Sequence, residues 1–165
     1  MTGQLDYIVR PFEPRDAAAF AGLNRQWIDA LFEIEEKDRF QLEHPQTAIL
    51  GKGGYIAIAE ANGWVVGTGA VMPAALAPKD GKSWFEIVKM STDISAQHMG
   101  IGSRILDQLI DYAKDHMADA LWLETNDRLE AATHLYRKKG FQDLVGDAVW
   151  ETPYERCNMQ MVMEL

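Results

Sequence analysis

Apolar residues along this chain change their spacing several times, and each change marks a predicted element. Phe20, Leu23, Trp27 and Leu31 recur at helical intervals, with Asp16 placed to help start the helix. A short strand, Tyr7 to Arg10 closed by Pro11, precedes them, and the acidic stretch Glu33 to Glu43 predicts a second short helix ended near Pro45. Beyond Gly51-Lys52-Gly53-Gly54, the runs Tyr55 to Ala61 and Trp64 to Met72 flank Asn62-Gly63, a pair that tolerates the positive φ angles of a two-residue hairpin turn. Ser83 to Met90 predicts another strand. Ile101, Ile105, Leu109 and Ala113 then form one helical stripe, and Ala120 to Thr125 a compact strand. Leu129, Ala132, Leu135 and Tyr136 make a further helical face, stopped by Gly140, with Asp127 and Glu130 at the spacing of a capping box. A short strand from Phe141 and a last one near Asn158 to Met163 complete the order β-α-α-β-β-β-α-β-α-β-β. Strand runs broken by single helices predict an α/β (α+β) fold, a mixed sheet with helices on both faces.

Composition narrows the class. The 165 residues, 47% hydrophobic and 25% charged, fit one globular domain over 1–165. A net charge of -9 argues against following a nucleic-acid backbone, which needs clustered Lys and Arg, and suits a cationic or neutral partner better. No apolar run approaches the ~20 residues that span a bilayer, and Met1 to Asp6 lack the basic-then-apolar order of a signal peptide. The one cysteine, Cys157, lies in a predicted strand between Arg156 and Asn158; it excludes an internal disulfide and reads as a structural thiol. A soluble, cytoplasmic protein without nucleic-acid or membrane partners is expected. His44, His116 and His134 lack ligand spacing, and alternating Met159, Met161 and Met163 read as core, so no metal is expected.

Candidate chemistry gathers at Gln97-His98-Met99-Gly100-Ile101-Gly102, between a strand and a helix. A helix start leaves backbone N–H groups unpaired and partly positive, which suits phosphate. Gly100 and Gly102 let ligand oxygens come close, and Ser103 adds a hydroxyl. By itself this pattern could equally be a tight turn. It lacks the Gly-Lys-Ser/Thr ending of a nucleotide P-loop and the third glycine of a dinucleotide fingerprint.

Its surroundings say more. Gln97-x-x-Gly100-x-Gly102, after the Glu86-x-x-Lys89-Met90 strand, resembles the acetyl-CoA signature of the GNAT superfamily of N-acyltransferases. Asn126-x-x-Leu129-x-x-Ala132-x-x-Leu135-Tyr136-x-Lys138-x-Gly140-Phe141 is similar to the next motif of that superfamily. The matched motifs span Phe85 to Phe141. Two positions depart: His98 stands where relatives often carry glycine, and Ile94 where they often carry proline.

The resemblance implies a mostly antiparallel sheet of about seven strands flanked by about four helices. It implies transfer of an acetyl group from acetyl-CoA to a primary amine of a small molecule or protein, by direct attack in a ternary complex. The strand backbone at Met90, Ser91 and Thr92 would hold the pantetheine arm. Gln97, His98, Met99, Gly100, Ile101, Gly102 and Ser103 would hold the pyrophosphate, and Asn126 would contact the cofactor or cap a helix. Tyr136 would protonate the leaving sulfur, or serve as a core aromatic. Glu86, in a strand with Trp84, Phe85, Ile87 and Val88, would be the base with its pKa raised by burial, or would pair with Lys89. Acceptor contacts would come from Trp27, Phe32, Glu33 and Glu35, with Tyr154 or Arg156. Relatives are often dimers, so a homodimer is implied. A non-catalytic CoA-binding sensor or an interaction module fits the same residues.

Overall fold

Asn62 and Gly63, at φ of 51° and 81°, reverse the chain between β2 (Tyr55–Ala61) and β3 (Trp64–Pro73) in an antiparallel hairpin. The computed structural model describes residues 5–75 and 81–165, so most of the reading of Met1 to Asp6 lies outside the described residues. β1 (Ile8–Pro11) flanks β2, and β4 (Trp84–Thr92) flanks β3. Three helices separate β1 from β2: α1 (Ala17–Leu31), α2 (Glu36–Glu43) and α3 (Pro45–Ala48). α4 (Ile101–Asp115) follows β4 and leads to β5 (Ala120–Thr125). α5 (Glu130–Lys139), β6 (Gln142–Asp143) and β7 (Met159–Glu164) complete the order. The seven strands run β1-β2-β3-β4-β5-β7-β6, and every neighbouring pair is antiparallel except β4 and β5.

Both faces are covered, as the element order predicts. The α4 stripe Ile101, Ile105, Leu109 and Ala113 is buried against Ala57, Ala59, Val71, Phe85, Ile87, Leu121 and Leu123, with Tyr136 of α5 in the same cluster. On the opposite face Phe20 and Ile28 of α1 and Leu42 of α2 cover Ile56, Ile58, Ala70 and Met72. Each large apolar side chain so buried contributes about 1.5–3 kcal/mol.

Several details differ from the expected pattern. Among the described residues there are five α-helices rather than about four, because Pro45, just past the end of α2 at Glu43, also opens a further helix: its fixed φ and missing N–H suit a first helical position. α2 starts at Glu36, not Glu33. Asp127 and Glu130 form no capping box; α5 begins at Glu130 after Leu129, and the side-chain acceptor nearby is Asn126, whose Oδ1 takes the Arg128 N–H at 2.9 Å. Cys157 sits in the turn before β7 rather than in a strand. Leu31 is exposed at the end of the α1 stripe, and of the three alternating methionines only Met161 is fully buried.

The centre of the sheet carries one irregularity. Thr68 pairs with Ser91 and Ala70 with Val88, so Gly69 alone opposes Lys89 and Met90. This is a β-bulge, with Lys89 at a φ of 55°. Gly69 is required there, since a Cβ would come within 2.4 Å of Met90 Sδ and 2.8 Å of Ile105 Cγ2. β4 and β5 stay paired only through Trp84–Ala120, Phe85–Leu121 and Glu86–Trp122. Past Glu86 the two parallel strands part, leaving a wedge in the sheet.

Candidate active site

The wedge opens into a cleft of about 810 Å³ whose walls are the parted segments of β4 and β5, the start of α4, one side of α5, Trp27 of α1 and the loop 144–158. Backbone geometry shapes one end. The first helical bond of α4 runs from the Arg104 N–H to the Gly100 carbonyl, 3.2 Å, so the N–H groups of Ile101, Gly102 and Ser103 lie before it. Gly100 enters the helix at a φ of 78°, a left-handed conformation that glycine adopts without penalty. Gln97, His98, Gly100, Ile101, Gly102 and Ser103 all line this end, as do Met90, Ser91 and Thr92 across from them. Met99 does not line it; its side chain points into solvent.

His98 has a φ of 67°, in the left-handed region that favours glycine. Left-handed backbone costs a side-chain-bearing residue roughly 1–2 kcal/mol, part of which glycine would return through the unfolded chain. His98→Gly is therefore expected to raise stability by about 0.5–1 kcal/mol, read as a higher urea midpoint at constant slope. An unchanged or lower midpoint would show that the ring makes compensating contacts.

Polar side chains crowd the other end. Glu86 of β4 is only 2% exposed, and its Oε1 has no hydrogen-bond partner among the described residues. Burial pushes its carboxyl up from the ordinary range, against the opposing pulls of Lys37, the Ala75 N–H and Lys89. Glu124 of β5 also lines the cleft. Its Oε1 accepts the Thr152 hydroxyl, and its Oε2 is buried without a partner among the described residues. Burial raises this carboxyl too, and the charge of Glu86 adds to the rise. Register explains why the two share a face: Glu86 pairs with Trp122, and Glu124 is two residues further along the same strand.

Glu86 does not pair with Lys89. The Lys89 ammonium, buried at the bulge, pairs instead with Asp38 of α2, which is fully buried and also takes the Arg156 guanidinium. Arg156 lies over the rings of Trp27 and Tyr154, 5.6 and 4.4 Å from their centroids. Tyr154 is buried and its hydroxyl is driven well up by burial. The loop that brings these residues in is anchored by Trp150, stacked 4.8 Å from Trp122 and tilted against Trp84 at 4.9 Å. Gln160 clamps both backbone polar groups of Trp150, accepting from its N–H at 2.7 Å and donating to its carbonyl at 2.6 Å. Cys157 lines the same end, with its thiol pushed up to about 12 by burial and the nearby Glu124 charge; such a thiol is not a ready nucleophile.

Of the other predicted acceptor residues, Trp27 lines the cleft, whereas Phe32, Glu33 and Glu35 do not. Phe32 packs edge-on against Trp27 at 6.3 Å, Glu33 is exposed, and Glu35 holds Arg156 and the Glu155 N–H. Asn126 lines the cleft, but both ends of its amide bind protein: Nδ2 donates to the Arg156 carbonyl at 2.6 Å and Oδ1 accepts from Arg128. The Ser91 hydroxyl donates to the Leu23 carbonyl at 2.8 Å, so Ser91 offers the cleft its backbone. Tyr136 is buried edge-on against Phe141, centroids 5.8 Å apart, and still borders the cleft; burial raises its hydroxyl far above the usual range. Sequence reasoning missed Glu124 and Asp38. A lone acid within the apolar run Ala120-Leu121-Trp122-Leu123 was the available signal for Glu124. Asp38 had none, because its partners lie 51 and 118 residues away.

No helix among the described residues is long and apolar enough to cross a membrane, and no group of three or more His, Cys, Asp or Glu among them is arranged to hold a metal ion.

Comparison with known proteins agrees with this geometry. The camello protein of Xenopus tropicalis, described as a probable N-acetyltransferase, is 27% identical over 126 residues, covering 76% of this chain and 55% of its own. The chain thus spans about half the length of that curated relative. A GNAT-family acetyltransferase of Staphylococcus aureus superposes with a TM-score of 0.81 at 18% identity, over 96% of this chain and 99% of its own. A Clostridium acetobutylicum protein solved with acetyl-CoA superposes at 0.72 with 22% identity, over 89% of this chain and 96% of its own. The family model for the acetyltransferase (GNAT) family matches residues 20–141, most of the chain and every wall of the cleft except the 144–158 loop, and the chain belongs to that family.

Proposed function

We propose that this protein transfers an acetyl group from acetyl-CoA to a primary amine of a small molecule or a protein, by direct attack in a ternary complex. One observation carries the reading. The parted strands β4 and β5 join a phosphate-suited helix start to the buried Glu86 and the half-buried Glu124, each with one oxygen that has no partner among the described residues.

The residues present fit the donor. Unpaired N–H groups at Ile101, Gly102 and Ser103, with the helix dipole behind them, suit a pyrophosphate. A Cβ on Gly102 would sit 3.3 Å from Leu135 Cδ2, so glycine keeps the approach open. Beyond Glu86, the β5-facing edge of β4 has no strand partner, and its backbone groups at Met90 to Thr92 can bond a pantetheine amide and polarise a carbonyl. Acetyl-CoA supplies the acyl group in activated thioester form.

The chain's own side chains then manage protons. A primary amine with a pKa near ~10 arrives mostly as its ammonium. Glu86, or Glu124 two residues along the facing strand, takes that proton, which a raised carboxyl pKa favours near neutrality. Tyr136, whose hydroxyl burial keeps protonated, gives its proton to the departing thiolate and is restored by the second proton that the nitrogen loses as the amide forms.

Free thiol release should be followed with acetyl-CoA and a panel of four amines: a lysine-containing peptide, a peptide with a free alanine N-terminus, spermidine and tyramine. Release with at least one amine, and an acetylated product by mass, is expected. Tight acetyl-CoA binding without release from any of them would make the chain a CoA-binding module instead.

A further inference from the structure

A buried ion cluster ties the two ends of the cleft together. The Asp38 carboxylate accepts the Lys89 ammonium at Oδ1, Arg156 Nη2 at Oδ1 over 2.7 Å, Arg156 Nη1 at Oδ2, and the Glu35 backbone N–H at Oδ2 over 3.0 Å. Its two cations belong to opposite walls. Lys89 is the bulge residue directly before Met90, where β4 turns its free edge to the donor. Arg156 belongs to the loop that also contributes Tyr154 and Cys157 to the acceptor end.

The loop has a second hold on the same helix start. Glu35 accepts the Glu155 N–H through Oε1 at 2.9 Å and Arg156 Nη1 through Oε2 at 3.4 Å. Simple adhesion does not need this. Apolar packing of equal volume commonly stabilises as well as a buried ion pair or better. A two-pronged guanidinium contact adds direction, fixing the angle at which the loop meets its partner.

We infer that Asp38 is a positioning residue for acceptor capture: through Lys89 and Arg156 it holds the loop that walls the acceptor pocket in one orientation against the strand that carries the donor. This rests on the acetyl-transfer reading. It assigns Asp38 no contact with either substrate. Donor binding, which uses backbone groups of β4 and α4, stays independent of the latch.

The test compares full-length wild type with Asp38→Asn, Asp38→Glu and Glu35→Gln. Glu35→Gln loosens only the loop side, so it remains informative if Asp38→Asn folds poorly. Three readouts are needed: acetyl-CoA affinity by calorimetry, steady-state kinetics with the best amine of the four-member panel, and amide hydrogen exchange across 150–158. In Asp38→Asn and Glu35→Gln the amine KM should rise, by about tenfold and about threefold, with kcat and acetyl-CoA affinity within about twofold of wild type. Exchange across 150–158 should quicken about tenfold in Asp38→Asn while α4 amides are unaffected, and Asp38→Glu should recover part of the lost KM. An unchanged amine KM in an active Glu35→Gln and Asp38→Asn, or a loss falling equally on donor affinity, overturns the inference. If wild type releases no thiol with any amine, the transfer reading fails instead. The exchange arm still decides the latch, which is overturned if 150–158 exchanges at the wild-type rate in both variants.

Discussion

Asparagine at position 38 is expected to lower the unfolding free energy by about 3–5 kcal/mol. The substitution keeps the side chain's shape and removes its charge, leaving Lys89 buried without its anion and Arg156 with only the longer contact to Glu35. Part of this loss is returned by Lys89, whose ammonium burial already pulls down against Asp38, and which can shed its proton in the variant. The measurement is a urea titration of both proteins at neutral pH, with equal slopes required for a direct comparison of midpoints. A loss below about 1 kcal/mol would show that the cluster is no stronger than a surface pair.

The same variant should change the acid limb of stability. Burial works to raise the Asp38 carboxyl, but Arg156 and Lys89 outweigh it and hold it at about 2. An unfolded aspartate titrates near ~3.9. Asp38 therefore contributes stability that is fully present above about pH 4 and is lost as pH falls through about 2. Asp38→Asn lacks this component, so its stability should fall less steeply than that of wild type between those limits.

Glu86→Gln is expected to lower kcat/KM for the accepted amine by about 10²–10⁴-fold, the usual worth of a positioned general base. Glutamine fits the same buried site but cannot take a proton. Because burial holds the Glu86 carboxyl above its ordinary value, wild-type activity should climb with pH as that group ionises, and the climb should vanish in the variant. Glu124→Gln is the necessary companion. If it removes the climb while Glu86→Gln keeps it, the proton goes to β5 rather than β4. Acetyl-CoA affinity should stay near wild type in both, since neither carboxylate lies at the helix-start end.

Local signals were legible in the sequence and long-range ones were not. Asn62-Gly63 specifies its turn because both residues take positive φ at little cost, and the α4 stripe is visible because four apolar residues repeat at one interval. The glycine loop is visible for the same reason: its chemistry is backbone chemistry over a few consecutive residues. α2 was harder to place, because its buried residues are Asp38, Gln41 and Leu42, a polar set that no hydrophobic periodicity reveals. The bulge at Lys89 depends on Gly69 in another strand, and the hold of Asn126 on the Arg156 carbonyl depends on a loop 30 residues away. At the carboxylate end every important neighbour is distant in sequence, as with Thr152 and Glu124 or Trp150 and Trp122. Such contacts are decided by sheet order, which composition and spacing do not encode.

That sheet order also sets a schedule for synthesis. β7 lies between β5 and β6, although it follows both along the chain. Until β7 has emerged from the ribosome, β6 has no strand to join, Gln160 is not there to clamp Trp150, and the loop carrying Tyr154 and Arg156 has nothing to fold against. The hairpin, the bulge and the glycine loop can all form earlier from contiguous chain. A nascent chain of this design would thus shape the glycine-loop end of the cleft first and the end walled by 144–158 last.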